Sequence, residues 1–347
     1  MTTLKDIARQ LNLSPATVSR ALNGFPEVKS QTRELVLQAA TRLNYRPNLI
    51  AQKLVSGRSG MIGLILKPFE ADAANASFFQ VMSGISHYLA DADLDLIFQT
   101  TIGHDILAPY SRMINKTKPD GFVLVGPEID DPRIAFLHEQ QIPFVVHGQT
   151  DAPDYAFYDI DNKLVASSVV NMLCSLGHSR IAMINGPKNY SFAYQRQSGY
   201  VQAMLENGLS VPEFAHIHGR QTSDLGYTSA LSLLSGRRQL APSAIICSST
   251  IVADGVYRAA KDLNISIPQD LSVVAHDDAV PDMRAVNFEP ALTVTRSPIR
   301  DASQPLAMAM RKLLEGDEPA RLQTITKAEL IVRNSTGPVP KGMNEPW

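Results

Sequence analysis

The chain has 347 residues, 44% of them hydrophobic and 19% charged, with two cysteines and a formal net charge of −2. That length exceeds one ordinary domain and predicts two or three, each with a sizeable core. There is no apolar leader at the N-terminus and no apolar run of the about 18 residues a spanning helix needs, so a soluble, cytoplasmic protein is expected.

The charge is unevenly placed. Residues 1–60 carry nine Lys/Arg against three Asp/Glu, a net +6, which leaves −8 for the remainder. A basic head on an acidic body predicts that only the head approaches a polyanion. Cys174 and Cys247 both lie in apolar contexts and at no metal-ligand spacing, so buried thiols are expected and nothing asks for a disulfide.

Residues 4–24 read as two short helices with a tight turn. Leu4, Ile7, Ala8 and Leu11 share one helical face. Ser14 is an N-cap, and Pro15 fits the first helical position because that N–H has no intrahelical partner. Val18, Ala21 and Leu22 form the inner side of the second helix; Pro15, Ala16, Thr17 and Arg20 form its outer side. Such a surface suits a DNA major groove, although any small helical hairpin also has an apolar face. Ser30 is placed to cap a third helix over 31–43, with Leu35, Ala39, Ala40 and Leu43 inward. Pro47 ends it. Residues 48–57 form a segment too short for a stable isolated helix, and Gly57, Ser59 and Gly60 mark a boundary.

From residue 61 the pattern becomes one of alternating strands and helices. Strands are predicted at 61–66, 94–99, 121–125, 144–147 and 156–160, with helices at 79–91, 110–116 and 133–140. The alternation restarts with helices at 162–175, 194–206, 225–234 and 251–263 and strands at 180–185, 216–218, 244–247 and 271–276. A strand at 292–295, a helix at 304–314 and a strand at 323–332 complete the body. This order implies parallel sheets in an α/β architecture of two lobes, with a ligand cleft at the C-terminal ends of the strands.

Together these pieces resemble the lactose/galactose repressor (LacI/GalR) family over nearly the whole chain. The head carries Asp6-Ile7-Ala8, the run from Ser14 through Pro15, Ala16, Thr17, Val18, Ser19, Arg20, Ala21, Leu22, Asn23 to Gly24, then Thr32-Arg33 and Leu43-Asn44-Tyr45-Arg46-Pro47-Asn48. The body carries Gly177-His178-Ser179-Arg180, the run Ile267 to Val274, and Asp277-Asp278. The resemblance implies a helix-turn-helix DNA-binding head (1–46), a hinge helix and linker (47–60), and an α/β, two-lobed body like periplasmic binding proteins that binds effector and dimerises (61–338). The first lobe is expected over about 61–161 and 293–322, the second over about 162–292 and 323–338, and a C-terminal tail over 339–347.

It also implies roles. Pro15, Ala16 and Arg20 match base-reading positions, Arg20 being the one long donor among them. Ser14, Thr17, Ser19, Asn23, Thr32 and Tyr45 match phosphate-contacting positions, where Asn23 and Thr32 also suit capping or turn chemistry. Asn48 opens the hinge segment, and Leu54 falls where the family wedges an apolar side chain into the minor groove. In the body, Arg196 matches an arginine that bonds sugar hydroxyls or a carboxylate; the plainer alternative is a surface helix arginine. Asp277 matches an acidic group at the end of its strand. Phe79, His147, Asp161, Gln221 and Ser249 match other cleft positions, as does Phe78, with Phe79 equally suited to stacking on a sugar or to a core. Ser249-Thr250 and Ala275-His276 depart from the family's common pattern.

The expected function is a sequence-specific transcriptional regulator. It would be a repressor of carbohydrate-use genes that binds pseudo-palindromic double-stranded operator DNA as a homodimer and leaves it on binding a small carbohydrate. The look is of the α-glucoside/raffinose branch, which favours a di- or oligosaccharide. A co-repressor mode and a sugar solute-binding protein are the alternatives. No cofactor or metal is expected; His276-Asp277-Asp278 faces no further ligand cluster at a recognisable spacing. No phosphate loop or nucleophile elbow supports an enzyme. The C-terminal segment lacks the leucine heptads of a tetramerising coiled coil.

Overall fold

The computed structural model describes residues 3–22, 25–45, 58–66, 72–100, 105–235 and 241–347, with the backbone alone over 72–78. The chain divides into two compact units, Met1–Ser59 and Gly60–Trp347.

The first unit holds α1 (Leu4–Leu11), α2 (Pro15–Leu22) and α3 (Ser30–Arg42). Asp6 reaches back to accept the Thr3 N–H at 2.8 Å, which fixes the start of α1. Asn12, at φ 51°, turns the chain out of α1. Ser14 Oγ then accepts the Thr17 N–H at 3.0 Å, the N-cap expected of it. Ile7, Ala8, Val18, Ala21, Val36, Ala39 and Ala40 make the core. Two expectations for α3 are corrected. Ser30 is its first helical residue, and the cap position falls to Lys29, which makes no side-chain cap bond. Leu35 is 52% exposed, and Val36 packs inward instead. The stripe i, i+3, i+4, i+7 runs through Val36, Ala39, Ala40 and Leu43, and Leu35 lies about 100° off it. Asn23 and the expected hinge segment, with Asn48 and Leu54, lie outside the described residues.

The second unit contains two six-stranded sheets. Across the first, the order is β11 (Gln323–Thr326), β5 (Ala156–Ile160), β4 (Phe144–His147), β3 (Gly121–Val125), β1 (Met61–Leu66) and β2 (Asp95–Thr100), all parallel. One face is covered by α4 (Asp72–Ala90) and α11 (Ser303–Glu315), the other by α5 (Ala108–Thr117) and α6 (Pro132–Glu139). Across the second sheet, the order is β12 (Glu329–Ile331), β10 (Thr293–Arg296), β9 (Ser272–Asp277), β8 (Ala244–Cys247), β6 (Ile181–Asn185) and β7 (His216–His218). Only the β12–β10 pair is antiparallel. Helices α7 (Asn162–Ser175) and α8 (Ser191–Glu206) cover one face, and α9 (Ser223–Leu234) and α10 (Thr250–Asp262) the other. Burial on both faces accounts for the apolar runs of the central strands, such as the fully buried Ile181–Asn185.

The lobe boundaries differ from those expected. The stretch 293–296 belongs to the second lobe, because β10 pairs in parallel with β9 and buries Thr293, Val294 and Thr295 there. The single strand expected over 323–332 is two strands, β11 in the first sheet and β12 in the second. Lys327 and Ala328 separate them, and neither is a Gly or Pro that would mark a break. The chain therefore crosses between lobes near 161, near 297–298 and near 327–328. The C-terminal tail is docked: Val339 N–H donates to Leu176 O at 3.0 Å, Ser179 Oγ donates to Asn344 O at 3.1 Å, and Trp347 packs on both cores of the second lobe.

Candidate functional site

In the head, Ser14, Pro15, Ala16 and Arg20 are exposed, whereas Val18 and Ala21 of α2 are buried. The Ser14 and Thr17 hydroxyls lie 2.8 Å apart at the start of the helix, where unpaired backbone N–H groups favour anions. Ser19, Thr32 and Tyr45 are half-buried, and Tyr45 packs against the head's core. The arrangement offers one guanidinium and two small apolar side chains on a convex helical face, flanked by hydroxyls.

In the body a cavity of ≈ 200 Å³ lies at the C-terminal ends of both sheets. The first lobe contributes His147, Tyr158 and Asp159; the second contributes Asn162, Phe192, Arg196, Gln221 and Asp278; the crossing Ser297–Ile299 closes one side. Gly148 also lines it with φ +112°, where a Cβ would stand 2.6 Å from Pro127. Arg196, on α8, is only 6% exposed. Its Nε donates to Asn162 Oδ1 and its Nη1 to Ser248 O, both at 2.9 Å, and its guanidinium stands 5.2 Å from the Phe192 ring centroid. Gln221 Nε2 approaches the same carbonyl at 3.4 Å.

The titrating groups around Arg196 divide by environment. Burial pushes the Asp159 carboxyl up to about 6, against the pull of the Ile160 N–H and of Arg196. Burial acts to raise Asp278 as well, but His276, Arg196 and His147 outweigh it, and its carboxyl is held below the usual range. Burial drives His147 down to about 4, with Asp278 opposing, so its ring is neutral at neutral pH. Burial also lowers Arg196 from its ordinary value, with Asp278 and Asp159 opposing. Among the described residues, the cavity thus holds one cation, one firm carboxylate and one that titrates near pH 6, between aromatic and aliphatic walls.

Of the residues singled out from the sequence, His147, Arg196 and Gln221 come together here. Asp161, Ser249 and Asp277 do not. Asp161 caps α7, accepting Leu164 N–H at 2.9 Å, and Ser249 caps α10, accepting Val252 N–H at 3.3 Å. Each precedes a helix directly, where an oxygen-bearing side chain satisfies an orphan N–H. Asp277 accepts Ala279 N–H at 2.8 Å and sits 3.8 Å from Arg296, on the face of β9 shared with Ala275. Phe79 is 61% exposed and is not among the residues lining the cavity; the Phe78 side chain lies outside the described residues. The carboxylates that do line it, Asp159 and Asp278, were missed. Strand alternation was the available signal: Asp277 follows Ala275 onto one face, and Asp278 follows His276 onto the other.

Residues 3–48 match the model for bacterial regulatory proteins of the lacI family, and residues 170–336 match a periplasmic binding protein-like domain. The chain is 38% identical over 341 residues to the HTH-type transcriptional regulator AglR of Rhizobium meliloti (strain 1021), covering 97% of this chain and 95% of that one. The chain belongs to the LacI family of bacterial regulatory proteins. This LacI-family chain is also 30% identical to the HTH-type transcriptional regulator RafR of Escherichia coli over 96% of its length and 98% of the relative's. It shares the fold of the lac repressor dimer bound to operator and the anti-inducer ONPF, with a TM-score of 0.79 at 23% identity over 97% and 99% of the two chains. A CelR–cellobiose complex aligns with a TM-score of 0.71 at 25% identity, over 96% of this chain and 100% of that one. The LacI-family chain is accordingly a helix-turn-helix transcriptional regulator and not an enzyme. Among the described residues no helix is long and apolar enough to cross a membrane.

Proposed function

We propose that this regulator represses carbohydrate-use genes in the cytoplasm. It binds a pseudo-palindromic operator as a homodimer and is released when a neutral sugar enters the body's cleft. The carrying observation is the buried Arg196 beside a cavity whose carboxylates come from opposite lobes, Asp159 from the first and Asp278 from the second. A ligand that hydrogen-bonds both lobes changes their relative free energy only if it binds one arrangement better than the other.

The lining supports hydroxyls over anions. Asp278 and, above about pH 6, Asp159 are acceptors that repel a carboxylate or phosphate, and Arg196 and Gln221 supply donors. Tyr158 and Phe192 offer apolar faces to a pyranose. At ≈ 200 Å³ the cavity is smaller than the about 300–1,000 Å³ common for ligand sites. A terminal ring seated inside, with the rest of a di- or oligosaccharide reaching outward, fits that size. In the head, Arg20 reads a guanine, Pro15 and Ala16 give apolar contacts to base edges, and the Ser14 and Thr17 hydroxyls meet phosphate.

The test is selection of a binding site from random duplex DNA, followed by titration of that duplex with and without glucose, maltose, sucrose, melibiose and raffinose. Loss of affinity with at least one sugar is expected. Unchanged affinity with all of them would remove the sugar-inducer reading, and a gain would make the sugar a co-repressor.

A further inference from the structure

Behind the cavity wall lies a buried histidine. His276 on β9 is 3% exposed. Its Nδ1 stands 3.1 Å from Thr295 Oγ1, on the register-paired residue of β10. Its Nε2 stands 3.2 Å from Asp278 Oδ1, and Asp278 lines the cavity. The two side chains are two residues apart, on the same face of the strand end. The Nε2 atom is buried without an aligned hydrogen bond, so the approach to Asp278 is short but off the N–H axis. A small turn of the carboxylate aligns it. The Asp278 main chain is already pinned, its carbonyl accepting the Ile299 N–H at 3.0 Å, so only the side-chain torsions remain to be set.

The tautomer follows from the neighbours. A lone pair on Nε2 would face a carboxylate oxygen and be repelled, whereas a proton there is attracted. Nδ1 is then the acceptor for the Thr295 hydroxyl. Burial first, and then Arg196, hold the ring below its ordinary pKa, with Asp278 and Asp277 opposing. His276 therefore acts as a neutral donor.

We infer that His276 is a positioning residue for the ligand site: braced by Thr295, its Nε2–H holds one oxygen of the Asp278 carboxylate and leaves the other directed at ligand hydroxyls. This rests on reading the cavity as the sugar site. Holding the carboxylate in one rotamer removes an ordering cost from ligand binding.

Two measurements test it. In full-length protein labelled with ¹⁵N at histidine, His276 is expected as the Nε2–H tautomer, with a resonance that shifts in the Asp278→Asn variant. The Nδ1–H tautomer, or no response to Asp278→Asn, overturns the contact. For the tightest binder among the five sugars, His276→Gln keeps a donor near Nε2 and should bind within about threefold of the natural protein. His276→Asn is shorter, reaches only Thr295, and should bind about tenfold more weakly, the equivalent of one hydrogen bond. Equal affinities for the Asn and Gln variants overturn the positioning role. If the natural protein binds none of the sugars, the sugar reading fails, and the ¹⁵N spectrum still decides the His276–Asp278 contact.

Discussion

Arg196 shows what burial does to a single charged side chain. Two of its nitrogens are held by Asn162 and Ser248, and its charge is balanced by carboxylates from both lobes. Truncation removes a buried charged partner, so Arg196→Ala should weaken sugar binding by more than about thirtyfold, the equivalent of about 2 kcal/mol, in a calorimetric titration. Asp159 tests the same environment through stability. Its pKa is near 3.8 unfolded and about 6 folded, so its contribution is most favourable below 3.8 and is lost as pH rises through 6. Asp159→Asn should therefore stabilise the body at pH 7.5 by up to about 3 kcal/mol. Thermal melting should show that gain shrinking as pH falls toward 4. At this scale the sequence was partly legible. Arg196 stood out as a helix-start arginine in a chain resembling a known family. At the acidic pair 277–278, family position points to Asp277, whereas strand alternation puts Asp278 in the lining of the cavity.

The elements are held by contacts that admit no spare atoms. Helices α9 and α10 meet through Gly226 and Gly255. A Cβ on Gly226 would stand 1.9 Å from Val252 O, and one on Gly255 1.9 Å from Ser223 O. Both obstacles are backbone, so neither can step aside. Gly255→Ala should cost about 3 kcal/mol or more, read as a lowered melting temperature. In the head, Ser14→Ala removes the α2 cap and should cost about 1 kcal/mol. Most elements were legible because apolar runs and helical stripes are bounded by Gly, Pro or capping residues, as at 144–147 and 162–175. The 323–332 stretch was not. Its half-exposed residues continue an extended pattern through Lys327 and Ala328. Only tertiary pairing separates β11 from β12.

At the scale of the whole molecule, charge and architecture divide the work. The first 60 residues carry +6 and the rest −8, which confines attraction for DNA to the head. Operator affinity should fall linearly in log–log form with salt, by about 0.9 per phosphate contacted, while sugar affinity in the neutral-ligand cleft barely changes. Arg20→Ala should lower discrimination between the selected operator and random duplex by about 1–3 kcal/mol and leave sugar binding intact. The three crossings between lobes tie the cleft to both sheets, because each joins an element of one lobe to an element of the other beside the cavity or next to a strand that lines it. The most direct measurement is the ratio of operator affinities with and without the best-binding sugar, in the natural protein and in Arg196→Ala. If sugar held at Arg196 releases operator, the ratio falls at least about tenfold in the natural protein and stays near one in the variant. Equal release of both proteins, or release of neither, would contradict it.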